Sequence, residues 1–94
     1  MPALNWHPDA LRDVERLYHF LAENSPHSAQ RAVEAIRQAA KELAESPGIG
    51  VPLAEFRQFP ARFGRSAYVL RYAVLDDGSV LIVRVWHSRE DRPA

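Results

Sequence analysis

His87, Arg89 and Glu90 stand just beyond the last apolar run of this 94-residue chain. A histidine titrates near neutrality, an arginine can hold a phosphate and a carboxylate can exchange a proton, so the three could form an acid–base group. The plainer alternative is a solvated tail with incidental ion pairs. A second set lies upstream: Arg65, Arg71 and Arg84, with the aromatics Tyr68, Tyr72 and Trp86. From Phe56 to Leu75 the chain carries Arg57, Arg62, Arg65 and Arg71 and no acid. Such a stretch suits either an anionic partner or a solvated sheet face. Trp86 could stack on a base, although packing beside Val69 or under a partner protein is the commoner use of such a residue. Tyr68 and Tyr72 read as core residues with hydroxyls at the rim. His7, His19 and His27 have no ligand partners at helical or loop spacing, so capping or surface roles are expected and no metal site is. Gly48-Ile49-Gly50-Val51-Pro52 lacks the preceding strand and the Lys-Ser/Thr of a phosphate loop, so no cofactor is expected.

These residues need a scaffold, and residues 68–87 supply one. Two runs rich in Val, Ile, Leu and Tyr flank Asp76-Asp77-Gly78-Ser79, the signature of a β-hairpin. With Asp77 and Gly78 as a two-residue turn, Leu70, Tyr72 and Val74 face Val85, Val83 and Leu81 to form an apolar side. On the other side Val69 meets Trp86, Ala73 meets Ile82 and Arg71 sits across from Arg84. Like charges in that position destabilise a sheet unless they fan apart or an acid lies between them.

Composition bounds the remaining possibilities. A chain this long has room for one domain, spanning 1–94, which buries roughly 60–65% of its unfolded surface. There are no cysteines, which removes disulfides and thiolate chemistry. No apolar run approaches a membrane span and the first residues lack a secretory pattern, so a cytoplasmic protein with no membrane partner is expected. Twelve basic and twelve acidic side chains cancel, so net charge draws the molecule to no nucleic acid and direct sequence-specific DNA binding is not expected. Residues 1–54 hold five Lys or Arg against seven Asp or Glu, and residues 55–94 hold seven against five. The positive excess thus falls on the half that carries the hairpin.

In chain order, 3–6 reads as a short edge strand stopped by His7-Pro8. Pro8 suits the first turn of a helix, Asp9 and Asp13 favour its N-terminal dipole, and an apolar stripe of Ala10, Leu11, Val14, Leu17, Tyr18 and Leu21 runs to about Asn24. Arg12, Asp13, Glu15 and Arg16 fall elsewhere on the wheel. Ser25-Pro26 reads as a cap followed by a first-turn proline, opening a second helix with the stripe Ala29, Ala32, Val33, Ile36, Ala40 and Leu43. Ser46-Pro47-Gly48 ends it. A weak strand over 55–63, bulged near Phe59-Pro60, and a turn at Gly64 lead into the hairpin, and a polar tail that frays follows His87. The fold expected is α+β: an antiparallel helical hairpin on one face of a small, mostly antiparallel sheet, in the order β-α-α-β-β-β. Leu11, Val14, Leu17, Val33 and Ile36 would pack on Leu70, Tyr72, Val74, Leu81, Val83 and Val85. The opposite face, with Val69, Arg71, Arg84 and Trp86, would be uncovered.

This arrangement resembles the RelE/ParE superfamily of bacterial toxins from type II toxin–antitoxin systems. The likeness spans nearly the full chain and rests on four stretches in order: Trp6-His7-Pro8-Asp9-Ala10-Leu11-Arg12-Asp13-Val14, Leu43-Ala44-Glu45-Ser46-Pro47-Gly48-Ile49-Gly50, Gly64-Arg65-Ser66-Ala67-Tyr68-Val69-Leu70-Arg71-Tyr72 and Val83-Arg84-Val85-Trp86-His87-Ser88-Arg89-Glu90. The resemblance implies a toxin neutralised by a cognate antitoxin. Members divide between poisoning of DNA gyrase and ribosome-dependent mRNA cleavage. The cleaving branch typically has Arg after the leading Tyr of the central strand, where this chain has Val69, and is strongly basic, where this chain is neutral. Both departures point to the gyrase-directed branch, with an mRNA endonuclease or a degenerate toxin that only binds its antitoxin as alternatives. The His-x-Arg-Glu ending recurs among gyrase-type relatives. On that reading Arg65, His87, Arg89 and Glu90 are target-contact candidates, Arg71, Arg84 and Trp86 are antitoxin-contact candidates, and no residue is assigned catalysis.

Overall fold

Proline and its preceding cap set both helix starts. His7 caps the first helix, its Nδ1 accepting the Asp9 N–H at 3.0 Å, and Pro8 follows where a missing N–H is harmless. Ser25 does the same for the second, its hydroxyl accepting from Ser28 N at 3.2 Å ahead of Pro26. The computed structural model describes residues 3–93. Its elements are β1 (Leu4–Trp6), α1 (Pro8–Ala22), α2 (Pro26–Glu45), a 3-10 turn (Pro47–Ile49), β2 (Val51–Leu53), β3 (Phe56–Phe63), β4 (Ser66–Val74) and β5 (Val80–His87). The architecture is α+β, two helices packed on a five-stranded sheet of order β1-β5-β4-β3-β2. All neighbours are antiparallel except β1, which lies parallel to β5 at one edge.

The extra strand, β2, falls where the sequence reads as a loop. Three residues pairing with Phe56, Arg57 and Gln58 are too few to leave an alternating pattern, and Pro52 masks what there is. β3 runs through Pro60 in register with β4, without the expected bulge. Pairing with β2 stops at Gln58, so beyond it β3 is an edge strand and can accept a proline.

The core joins Leu17 of α1 and Ile36 and Leu43 of α2 to Leu70, Tyr72, Val80, Ile82 and Val85 of the sheet. Ala29, Ala32, Ala39, Ala40 and Ala44 are all buried along α2, and their small side chains let its axis sit close to its neighbours. Tyr72 is fully buried, yet its hydroxyl is satisfied: it donates to Pro47 O at 2.7 Å and accepts from Gly50 N at 2.9 Å. A Cβ at Gly50 would collide with that hydroxyl and with Gln58 O, so this position requires glycine. Arg57 donates to the carbonyls of Gly48 and Gly50, pinning the same loop. Among the described residues no helix is long and apolar enough to cross a membrane.

Two expectations about the core need correction. Leu11 is 54% exposed and Val33 half-buried; with Val14 and Tyr18 they line an open groove between α1, α2 and β1. In the first half of β5 the buried residues are Val80 and Ile82, whereas Leu81 and Val83 are half-buried and Val74 on β4 is exposed. The cause is in the hairpin. Gly78 N donates to Leu75 O and Leu75 N to Ser79 O, which makes Asp76, Asp77 and Gly78 a three-residue loop with Gly78 at φ 85°. Asp77 stiffens it by accepting from both the N–H and the hydroxyl of Ser79. The extra turn residue moves Tyr72 opposite Ile82 and Val74 opposite Val80. A bulge then absorbs one residue at Val83, and from Arg71 opposite Arg84 to Tyr68 opposite His87 the pairing is the one that a two-residue turn predicts.

Candidate functional site

The bulge matters because it lies beside the residues that carry chemistry. Arg71 and Arg84 are cross-strand partners, as expected, but their guanidinium groups part company. Arg84 turns to α1, donating from Nε to Asp13 Oδ2 at 2.8 Å and from Nη2 to Asp13 Oδ1 at 3.1 Å. Asp13 Oδ2 also accepts the Val85 N–H at 2.9 Å. β1 pairs with β5 only as far as Ile82, with His7 N donating to Ile82 O, so the carboxylate supplies an acceptor beyond the end of β1. The hydrogen bond to Asp13 holds the Arg84 pKa above its ordinary value, against a smaller desolvation effect. Arg84 is therefore not displayed on an uncovered face.

Arg71 goes the other way. Its guanidinium lies 5.0 Å from the centre of the Trp86 ring, and Nη2 donates to Pro93 O at 3.2 Å. Trp86 is left 5% exposed. The tail that was expected to fray thus returns to the sheet, and the face that was expected to be bare is partly covered.

The target-contact candidates converge on one end of the sheet. Gly64 and Arg65 form the turn between β3 and β4, Gly64 at φ 60° supplying the positive angle, and Arg65 is exposed at its tip. β5 ends opposite the start of β4, where Ser88 N donates to Ala67 O at 2.9 Å. The turn that follows is built from its own side chains: Glu90 Oε1 accepts His87 N at 2.7 Å, Glu90 N donates to His87 O at 3.0 Å, and Arg89 N donates to His87 Nδ1 at 3.1 Å. The His87 ring meets Tyr68 edge-on at 5.3 Å. Arg16 of α1 grips Glu90 with both terminal nitrogens, at 3.1 and 3.2 Å. Burial pushes the Glu90 carboxyl up, but the hydrogen bonds from Arg16 and His87 N and the nearby positive charge outweigh it and hold the pKa below the ordinary range. Tyr68 is buried and its pKa is raised by that burial and by Glu90, so it stays a neutral phenol. Leu17, Phe20 and Leu21 of α1 with Tyr68, His87 and Arg89 enclose a mostly apolar cleft of about 520 Å³ beside this turn. Phe20 in its wall is 67% exposed.

Asp13 and Arg16 are absent from the candidates read from sequence. Asp13 carries a trace of its role: it sits three residues after Ala10 and four before Leu17, within the buried stripe of α1, where a carboxylate is out of place without a partner. Arg16 leaves no such mark.

Residues 4–92 match the family model described as the ParE toxin of the type II toxin–antitoxin system parDE. Toxin RelE1 of Caulobacter vibrioides is 38% identical over 84 residues, covering 88% of this chain and 89% of the relative. Toxin RelE3 of the same organism is 34% identical over 93 residues, covering 98% of this chain and all of the relative. A solved structure titled as the chromosomal ParDE toxin–antitoxin system from P. aeruginosa superposes with a TM-score of 0.73, at 22% identity and covering 93% of this chain and 96% of that one, and so shares the fold. The chain belongs to the RelE/ParE superfamily as a ParE-family toxin of a type II toxin–antitoxin system, a class that implies a cognate antitoxin as partner.

Proposed function

We propose that this toxin inhibits DNA gyrase by binding it, using the end of the sheet that carries Arg65, His87, Arg89 and Glu90. The observation that carries the reading is the fate of the central cations. Ribonuclease chemistry without a metal needs cations converging on the scissile phosphate and a proton relay beside them. Here Arg84 is bound by Asp13, Arg71 lies over Trp86 and donates to Pro93 O, and Arg57 is spent on two backbone carbonyls. Val69 occupies the position where a cleaving relative typically has arginine, and net charge is zero. A protein inhibitor needs only a complementary surface. The names of the relatives do not select the target, since the matching family model carries the ParE name and the two Caulobacter proteins the RelE name.

In the same reading the antitoxin contacts Arg71 and Trp86, with Arg84 held behind them by Asp13. The Pro93 carbonyl already occupies Arg71, so an antitoxin segment bonding there displaces the tail.

The test is to induce the toxin without antitoxin and follow supercoiling, chromosome integrity and mRNA ends together. Loss of gyrase supercoiling with double-strand breaks is the expected outcome. Ribosome-dependent cuts within mRNA codons with supercoiling intact would replace gyrase with the ribosome as the target. Neither effect, with tight antitoxin binding, would mark a chain that only binds its antitoxin.

A further inference from the structure

We infer that Arg16 is a positioning residue for the 87–90 turn, and that Glu90 works inward through Arg16 and does not touch the target. The inference rests on the reading above only in taking this end of the sheet as target-facing. Both Glu90 oxygens are occupied: Oε1 accepts from His87 N at 2.7 Å and Arg16 Nη2 at 3.2 Å, and Oε2 from Arg16 Nη1 at 3.1 Å. A fork bonded in this two-point manner fixes direction as well as distance. The intervening residues, Ser88 and Arg89, carry no glycine or proline to shape the turn, so Glu90 and its anchor on α1 shape it.

What the turn then presents follows from the remaining atoms. Arg89 N donates to His87 Nδ1, which leaves His87 Nε2 as the ring nitrogen that carries hydrogen. The Arg89 side chain makes no hydrogen bond or ion pair with any described residue and is exposed. Glu90 has both carboxylate oxygens engaged by Arg16 and His87 N and so turns inward. The turn therefore offers two donors, His87 Nε2 and the Arg89 guanidinium, beside a cleft walled by Leu17, Phe20 and Leu21. The partner chemistry that fits is a protein segment with a carboxylate or exposed carbonyls next to an apolar anchor.

The experiment is a double-mutant cycle read by growth arrest, which reports toxicity whatever the target. Arg16→Ala should raise the inducer level needed for arrest about tenfold, the loss expected when a contact group is no longer held in place. Glu90→Ala should lose at least as much, and the double variant no more than Glu90→Ala alone, because the two act as one unit. Glu90→Gln, which still accepts from His87 N and one Arg16 nitrogen but sets an amide NH2 against the other, should fall between wild type and Glu90→Ala. In the purified protein, Arg16→Ala should speed exchange of the His87 amide proton while leaving the unfolding midpoint and antitoxin binding nearly unchanged. Full toxicity and unchanged His87 exchange in Arg16→Ala would overturn the inference, as would effects that multiply in the double variant, since Glu90 would then contact the target itself. A failure of the gyrase reading looks different: the cycle keeps its pattern in growth arrest while wild-type toxin leaves supercoiling untouched.

Discussion

Asp13 and Arg16 lie one turn apart on α1 and both reach β5 or its extension, but they do so under opposite conditions. The Asp13 side chain is 7% exposed and answers three donors: two from Arg84 and the Val85 N–H. Arg16 is 51% exposed and its link to Glu90 lies at the protein surface. A buried carboxylate that loses its partners leaves groups unsatisfied in low dielectric, whereas a surface pair exchanges one solvated state for another. The lesson is that ion pairs between the same two elements can divide the labour: the inner one holds β5 to the helix, and the outer one shapes a loop at almost no cost to stability.

The sharpest way to break that comparison is Asp13→Ala. It strands Val85 N–H and leaves the Arg84 guanidinium uncompensated, and should cost about 2–4 kcal/mol, read from the urea unfolding midpoint. A loss below about 1 kcal/mol would mean that water replaces the carboxylate and that the inner pair is no different in kind from the outer one.

A second comparison tests the register on which the inner link depends. If the bulge sits at Val83, then Ile82 is core and Val83 is not, so Ile82→Ala should destabilise by about 2 kcal/mol more than Val83→Ala. Equal losses would return Val83 to the core and remove the bulge.

The smallest effect belongs to the outer pair. Arg16→Ala should lower stability by less than about 1 kcal/mol near neutral pH, and less still in high salt. The sign of its pH dependence follows from Glu90, whose folded pKa lies below its ordinary value of 4.5. The contribution is present in full above the unfolded pKa and disappears as pH falls through the depressed folded value. Wild type and Arg16→Ala should therefore converge in acid. A gap that widened in acid would assign the pair the wrong sign.

How much of this was legible beforehand depends on the range of the interaction. The helix starts at Pro8 and Pro26, the edge placement of β1, the position of β4 and β5 and the pairing of Arg71 with Arg84 could all be read, because caps, turns and alternation are encoded within a few neighbouring residues. The hairpin loop was one residue longer than Asp77-Gly78 implies, since Asp-Gly serves a two-residue turn and a three-residue loop equally well. The compensating bulge has no local signature. Leu11 and Val33 fit their helical stripes yet line an open groove, because a stripe defines a face and does not say how far the neighbouring element extends to cover it.

The sequence by itself determined the class of elements, their order apart from β2, the helical hairpin over a mostly antiparallel sheet and the family, all of which rest on local pattern and motif order. Tertiary structure alone decided which charges are free. Asp13 and Arg84 are 71 residues apart and Arg16 and Glu90 are 74 apart, so no spacing rule connects them. Only the docking of α1 against β5 brings each carboxylate within hydrogen-bond range of its arginine. That docking pairs Arg84 with Asp13 and Glu90 with Arg16 and leaves Arg89 at the tip of a turn held in place by a helix.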